Sequence, residues 1–267
     1  MMPILRSSFM KEVSNLKNKT VIILGSTGLI GKNIVDSFLQ SGAKVIGVDI
    51  NNNLLKKQEK KYTDEPFEAI CADITNIKQV KSLINSSSSK LKGIDAAVNV
   101  SYPKNKAYGT DLWNISFNNF SDNISRHLGG YFFFMRECAK YSIKEKRDFS
   151  LVNFSSIYGL IPPNFDLYKG TKMTLPAEYV AIKSAVQSLS QYLSSYTKGS
   201  KFRVNCICPG GVLDGQDKLF LKRYNSLAHS KGMLNPKDII GLTAFLCSDD
   251  SKYIRGQNIV IDDGFSL

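Results

Sequence analysis

A tyrosine and a lysine four residues apart, Tyr179 and Lys183, carry the most direct chemical signal in this chain. On a helix that spacing puts both side chains on one face, one turn apart. An ammonium beside a phenol favours the phenolate, so the pair predicts a tyrosine pKa drawn down from about 10 toward neutrality. Such a phenol can give or take a proton at working pH. A second copy of the pattern, Tyr168 and Lys172, is followed by Met173-Thr174-Leu175-Pro176, and the proline stops or kinks any helix holding it. After Lys183 an apolar stripe at helical spacing, Ala185, Val186, Leu189 and Leu193, runs on toward Tyr196. The Tyr179 pair therefore stands on a long helix, and Tyr168 reads as a loop residue.

The elements that must position this helix alternate in type. Thr20-Val21-Ile22-Ile23-Leu24 is a β-branched run of the kind buried on both faces of a sheet. It opens into Gly25-Ser26-Thr27-Gly28-Leu29-Ile30-Gly31, and a helical pattern of Ile34, Val35, Phe38 and Leu39 follows, ending at Ser41-Gly42. Strand, glycine turn and helix in that order make a pyrophosphate cradle. The first glycine permits the turn, the second lets the phosphate near the backbone, and the third lets helix and strand pack closely. Lys44 to Val48 reads as the next strand. Asp49 ends it 18 residues after Gly31, with Ile50 beside it. A carboxylate there accepts hydrogen bonds from the adenosine ribose hydroxyls and repels a 2′-phosphate. No arginine follows closely, so NAD is expected over NADP, with Lys56 and Lys57 pulling slightly the other way.

Further strands are expected over residues 67–72, closed by Asp73-Ile74, and over 94–99, closed by Asn99-Val100-Ser101. Others follow over 148–154, delivering Ser155-Ser156, over 201–208, ending in Pro209-Gly210-Gly211-Val212, and over 258–262. Helices are expected over 77–84, 117–141 and 237–246. The run Ser86 to Ser89 reads as a solvated loop, 160–176 as a substrate lid or wall, and 212–236 as mobile and partly helical. This order predicts an α/β fold, a doubly wound parallel sheet flanked by helices on both faces, in which ligands bind off the C-terminal strand ends. It occupies a single domain over residues 19–267, after an N-terminal extension of residues 1–18.

At 267 residues and 43% hydrophobic content the chain has ample material for one core. No apolar run approaches the roughly 20 residues that span a membrane. Five cysteines in apolar surroundings suit reduced, buried thiols in a cytoplasm. With only His127 and His229 available, and Cys206-Ile207-Cys208 wrongly spaced, no metal site is expected. The net charge of +12 is spread over scattered lysines without a nucleic-acid motif, which points to small anionic ligands and not to nucleic acid.

Taken together, the glycine turn, Asp49, Asp73, Asn99, Ser156, Tyr179 with Lys183, Pro209-Gly210 and Asp262-Asp263-Gly264 resemble, in order, the short-chain dehydrogenase/reductase family in its compact, Rossmann-type form. The long stretch from Tyr168 to Tyr179 resembles a subgroup linked to flagellin glycosylation and nonulosonic, legionaminic-type sugar synthesis. The resemblance implies hydride transfer between nicotinamide and a secondary alcohol or ketone on a carbohydrate-like substrate: a sugar, sugar phosphate or nucleotide sugar. It makes Tyr179 the acid/base and gives Lys183 the nicotinamide ribose. Ser156 is placed on the substrate oxygen, Asp73 and Ile74 by the adenine, Asn99 to Ser101 beneath the ribose, and Pro209, Gly210 and Val212 by the nicotinamide. It also implies a homodimer or homotetramer packed through helices 117–141 and 179–196. The chain departs from the family where Leu24 replaces a threonine, where the glycine spacing is that of the extended branch, and where Asn99-Val100-Ser101-Tyr102 replaces Asn-Asn-Ala-Gly. Ser156 and Tyr179 stand 23 apart, wider than usual, and spacing alone leaves Tyr168 open as the alternative. His127 occupies the place of a catalytic asparagine, either relaying protons or sitting as a satisfied helix histidine. Two other functions fit these departures: a sugar epimerase or dehydratase that retains its NAD, and a catalytically idle, NAD-binding scaffold.

Overall fold

The computed structural model of the chain describes residues 16–91 and 93–267. Residues 1–15 of the expected N-terminal extension lie outside them, while Leu16 is already fully buried in the core. Seven strands form one parallel sheet: β1 (Thr20–Leu24), β2 (Lys44–Asp49), β3 (Phe67–Cys71), β4 (Ala96–Asn99), β5 (Phe149–Phe154), β6 (Phe202–Pro209) and β7 (Asn258–Ile261). Between them run α1 (Leu29–Gln40), α2 (Asn52–Lys61), α3 (Ile77–Leu91), α4 (Phe117–Glu145), α5 (Ala177–Tyr196), α6 (Lys218–Leu227) and α7 (Ile240–Cys247). The strand order is β3-β2-β1-β4-β5-β6-β7. The chain steps outward from β1 to β3, then returns to β4 and steps the other way. The loops leaving β1 and β4 therefore diverge and open a crevice at their C-terminal ends.

Strand alternation decides which helices cover which face. On β1, Ile22 and Leu24 pack with Val80 of α3, Phe134 and Met135 of α4 and Ile182 and Val186 of α5. Val21 and Ile23 point the opposite way, onto Ile34, Val35 and Phe38 of α1 and Ala244 of α7. A third apolar cluster stands apart from the sheet and unites the lid with α6: Leu167, Phe220, Tyr224, Met233 and Phe265.

Four expectations need correction. The run Ser86 to Ser89 is helical: α3 continues through it to Leu91, with Ser87 buried. The Ser86 and Ser89 hydroxyls donate to the Leu83 and Asn85 carbonyls, a back-bonding that lets serine sit inside a helix. The segment 212–236 is organised, with Asp217 capping α6 through the Leu219 and Phe220 amides. Its far end is pinned by the Asp263 carboxylate, which accepts from the Ser230 hydroxyl and amide and the Gly232 amide, and these bonds hold Asp263 well below the usual carboxylate range. Cys71 is exposed at the end of β3, whereas Cys138, Cys206, Cys208 and Cys247 are buried. The helix expected over 237–246 is a 3₁₀ turn, Pro236–Ile239, leading into α7.

The third glycine of the β1–α1 turn packs against the first: a Cβ on Gly31 would overlap the Gly25 carbonyl. Gly31→Ala is therefore expected to lower stability by more than about 1 kcal/mol. Gly241→Ala, on an exposed face with nothing near its Cβ, should instead raise stability by about 0.5–1 kcal/mol. Urea unfolding of both variants measures the contrast.

Candidate active site

The crevice between β1 and β4 holds a cavity of about 420 Å³. Gly25, Thr27, Gly28, Asp49, Ile50, Asp73, Ile74, Val100 and Ser101 line it. Gly25 adopts φ +77°, and a Cβ there would stand 3.0 Å from Ser101 backbone atoms, so the loops from β1 and β4 close only over a glycine. Helix α1 begins at Gly28 without a side-chain cap, which leaves its first amides free for an anion. Cradle and uncapped helix fit the pyrophosphate of a dinucleotide. Asp49 faces the same cavity with its carboxylate held in place. Its Oδ2 accepts from the Thr27 hydroxyl at 2.7 Å and amide at 3.2 Å, and Oδ1 accepts from the Asn51 amide. Thr27 thus orients the carboxylate, a role its place in the glycine motif did not reveal. Ser26, Leu29, Gly31 and Asn99, expected at the cofactor, are absent from the cavity wall. Ser26 turns inward to bond Gln58, Gly31 packs under Gly25, and Asn99 is buried with its Oδ1 accepting from Ser101.

A second cavity, of about 380 Å³, shares Val100, Ser101 and Tyr102 with the first and reaches Ile30, Ser156, Tyr179, Lys183, Pro209, Gly210 and Val212. The structure separates the two serines that end β5. Ser155 is structural: its hydroxyl donates to the Lys183 carbonyl at 2.8 Å and accepts from Gln187 Nε2 at 2.9 Å. Ser156 faces the cavity, accepts from the Tyr158 amide and is hydrogen-bonded to the Tyr179 hydroxyl. Gln187 also donates to the Ser156 carbonyl. It lies one turn after Lys183 on the same face, and a polar residue on that buried stripe was its readable signal.

Lys183 is buried on α5 and donates from Nζ to the Phe154 carbonyl at 2.9 Å. The Tyr102, Tyr131 and Tyr179 rings surround it with centroids 5.5, 5.7 and 5.6 Å away. Burial pushes its pKa down to about 8. The expected lowering of Tyr179 does not appear. Burial raises the phenol above its ordinary value and outweighs the Ser156 hydrogen bond. The ammonium is spent on a backbone carbonyl and three rings, so the phenol stays protonated through neutral pH.

His127 is not a satisfied helix histidine. It is 1% exposed, and neither ring nitrogen has a hydrogen-bond partner among the described residues. Its ring stands edge-on to Tyr102 and tilted on Tyr131, with centroids 4.9 and 5.1 Å apart. Burial and then the Lys183 charge hold its pKa well below the histidine norm, so the imidazole is neutral. Tyr131 donates to the Asn99 and Ser101 carbonyls, tying α4 to the end of β4. One turn before His127, Asn123 donates to the buried Glu178 carboxylate and accepts from the Asn105 amide, joining the loop after β4 to the start of α5. Among the described residues no cluster of histidine, cysteine and carboxylate side chains could hold a metal ion.

The competing Tyr168-Lys172 pair shares no helix. Tyr168 ends a 3₁₀ turn, Phe165–Tyr168, while Lys172 lies exposed beyond it. The Tyr168 ring packs on Phe220 at 5.1 Å and walls the second cavity, and Arg223 anchors the lid by donating to the Leu167 and Lys169 carbonyls. The segment 160–176 is thus a wall, built onto α6.

A family model described as enoyl-(acyl carrier protein) reductase matches residues 26–266. The chain is 34% identical to a post-translational flagellin modification protein A of Campylobacter coli, over 94% of this chain and all of the relative. It is 27% identical to an (S)-acetoin-forming diacetyl reductase of Staphylococcus epidermidis, over 92% and 98% of the two chains. The crystal structure of a short chain dehydrogenase from Leptospira borgpetersenii with bound NAD+ superposes with a TM-score of 0.84 at 30% identity, covering 95% of this chain and 94% of the other. No described helix is long and apolar enough to cross a membrane. The chain belongs to the short-chain dehydrogenase/reductase family and is an NAD(P)-dependent short-chain oxidoreductase.

Proposed function

We propose that this enzyme interconverts a secondary alcohol and a ketone on a carbohydrate-like small molecule, uses NAD(H), and employs Tyr179 as its general acid/base. One observation carries the reading: the protonated Tyr179 phenol is bonded to Ser156 in a cavity continuous with the glycine cradle. A nicotinamide held there supplies or accepts the hydride. Ser156 donates to the substrate oxygen and holds it against the phenol. In the reducing direction Tyr179 gives its proton to the developing alkoxide, and burial keeps that proton in place beforehand. Lys183 holds positive charge behind the phenol, fixed by the Phe154 carbonyl. A neutral His127 beside it has two unsatisfied nitrogens, which suits an ordered water that passes a proton along. Asp49, pre-oriented by Thr27, supports NAD over NADP by accepting from the ribose and repelling a 2′-phosphate. The flagellin-modifying relative agrees with the resemblance to the sugar-synthesis subgroup, and the diacetyl reductase supports a ketone as the reacting group. The exposed, stacked Tyr192 and Tyr196 on α5 support a homodimer or homotetramer packed through that helix.

Titration by nicotinamide fluorescence should show NADH binding at least about tenfold tighter than NADPH, a gap of about 1.4 kcal/mol that shrinks in Asp49→Ala. Equal binding of both in the unaltered protein would remove the NAD preference. Tyr179→Phe should lower kcat by at least about 100-fold while leaving NADH affinity within about threefold. The Lys183 ammonium is present below its pKa and lost above it. The pH profile of kcat/KM for reduction should therefore be flat at low pH and fall above about 8. His127→Leu removes a buried polar group without partners, so it should raise stability by about 1 kcal/mol while kcat falls at least about tenfold. A purely structural histidine would leave kcat unchanged.

A further inference from the structure

The substrate side of the second cavity is unusual in what it lacks. Its wall is built from Tyr158, Tyr168, Leu175, Phe220, Tyr224 and Met233 together with the reaction centre, and among the described residues Lys183 is its only charged side chain. That ammonium donates to the Phe154 carbonyl and is ringed by Tyr102, Tyr131 and Tyr179. Arg223 of the neighbouring helix turns its Nη1 to the Leu167 and Lys169 carbonyls behind the lid and does not line the cavity. Local amides are committed as well: Gly211 donates to the Tyr224 hydroxyl and Tyr158 to Ser156. The start of α6 is capped by the Asp217 carboxylate, which repels an anion there. A phosphate or carboxylate brought into this space would lose its water and meet, among the described residues, no charged lining group but the Lys183 ammonium, which lies behind the Tyr179 phenol and already donates to the Phe154 carbonyl.

Uncharged ligands meet the opposite situation. The Tyr158, Tyr168 and Tyr224 hydroxyls can each donate and accept, and Gln216 and Thr174 add polar atoms to a wall otherwise apolar and aromatic. Hydroxyl and carbonyl groups find partners there, while the C–H faces of a ring find aromatic surface.

We infer that this oxidoreductase site admits only uncharged hydroxy or keto compounds, and that the tyrosine-lined wall excludes substrates whose reacting end bears a phosphate or carboxylate. The inference rests on the proposed Tyr179 site and narrows the carbohydrate class to a neutral ring or ketone at the reacting end.

Two matched pairs small enough to keep their charge inside the cavity provide the test: diacetyl against pyruvate, and D-glucose against D-glucuronate. Each is added to the NADH-loaded full-length protein, with binding read by ligand-observed NMR and turnover by NADH absorbance. The neutral member of each pair should bind at least tenfold more tightly, and wherever turnover occurs kcat/KM should follow the same order. Gln216→Lys, which places an ammonium on the wall, should shrink that ratio in both pairs. An anionic member binding as well as its neutral counterpart in either pair overturns the inference. Binding of no member of either pair also overturns it, because the cavity then does not receive small neutral substrates. NADH fluorescence, measured in the same samples, distinguishes that result from failure of the oxidoreductase reading itself, which predicts a tight NADH complex regardless.

Discussion

The docking of helix α5 onto the end of β5 is the constraint from which the site follows. Two side chains on one helical face and a serine at the end of β5 make the join. Lys183 reaches the Phe154 carbonyl, Gln187 clasps Ser155 and the Ser156 carbonyl, and Ser155 returns a bond to the Lys183 carbonyl. Neutral hydrogen bonds of this kind contribute about 0.5–1.5 kcal/mol each, and those involving a charge about 1.5–3 kcal/mol. Their geometric effect is larger than their energy. With Ser155 held inward, Ser156 is turned outward, and the Tyr179 phenol one helical turn before Lys183 meets it.

Burial at this join sets the electrostatics. Taking Lys183 out of water lowers its pKa to about 8, and taking the Tyr179 phenol out of water raises its own. Both shifts favour the neutral forms, as desolvation requires. The join thus holds a protonated phenol and a desolvated ammonium close together, with a neutral imidazole and two further tyrosine rings excluding solvent. A site of this kind is poised to stabilise charge that develops during reaction, since few competing dipoles of water remain.

The two cavities belong to different layers of the molecule. The cofactor crevice is a product of sheet topology, because it opens wherever strand order reverses, and Gly25 permits its two loops to close on each other. The substrate wall is a product of the third apolar cluster, in which the lid and α6 pack as one body and Arg223 and Asp263 fasten its two ends. Because the wall is built separately from the sheet, the features that mark fold and cofactor class do not report the substrate.

By itself the amino-acid sequence determined the order of strands and helices, the glycine cradle, the carboxylate ending β2 and the helix that carries Tyr179 and Lys183. These depend on short-range causes: β-branched runs, helical periodicity, and a proline that kept the rival pair from sharing a helix. Tertiary structure decided the rest. Ser155 and Ser156 are identical in local pattern, and only the distant Gln187 and Lys183 tell them apart. The serine run in α3 looked like a loop because composition does not register the buried face that Ser87 shares. His127 is unsatisfied only because Tyr102 of the loop after β4 and Lys183 of α5 converge on it beside Tyr131 of its own helix. The Tyr179 phenol rose where spacing predicted a fall, because spacing reports the neighbouring charge while burial depends on everything packed around it.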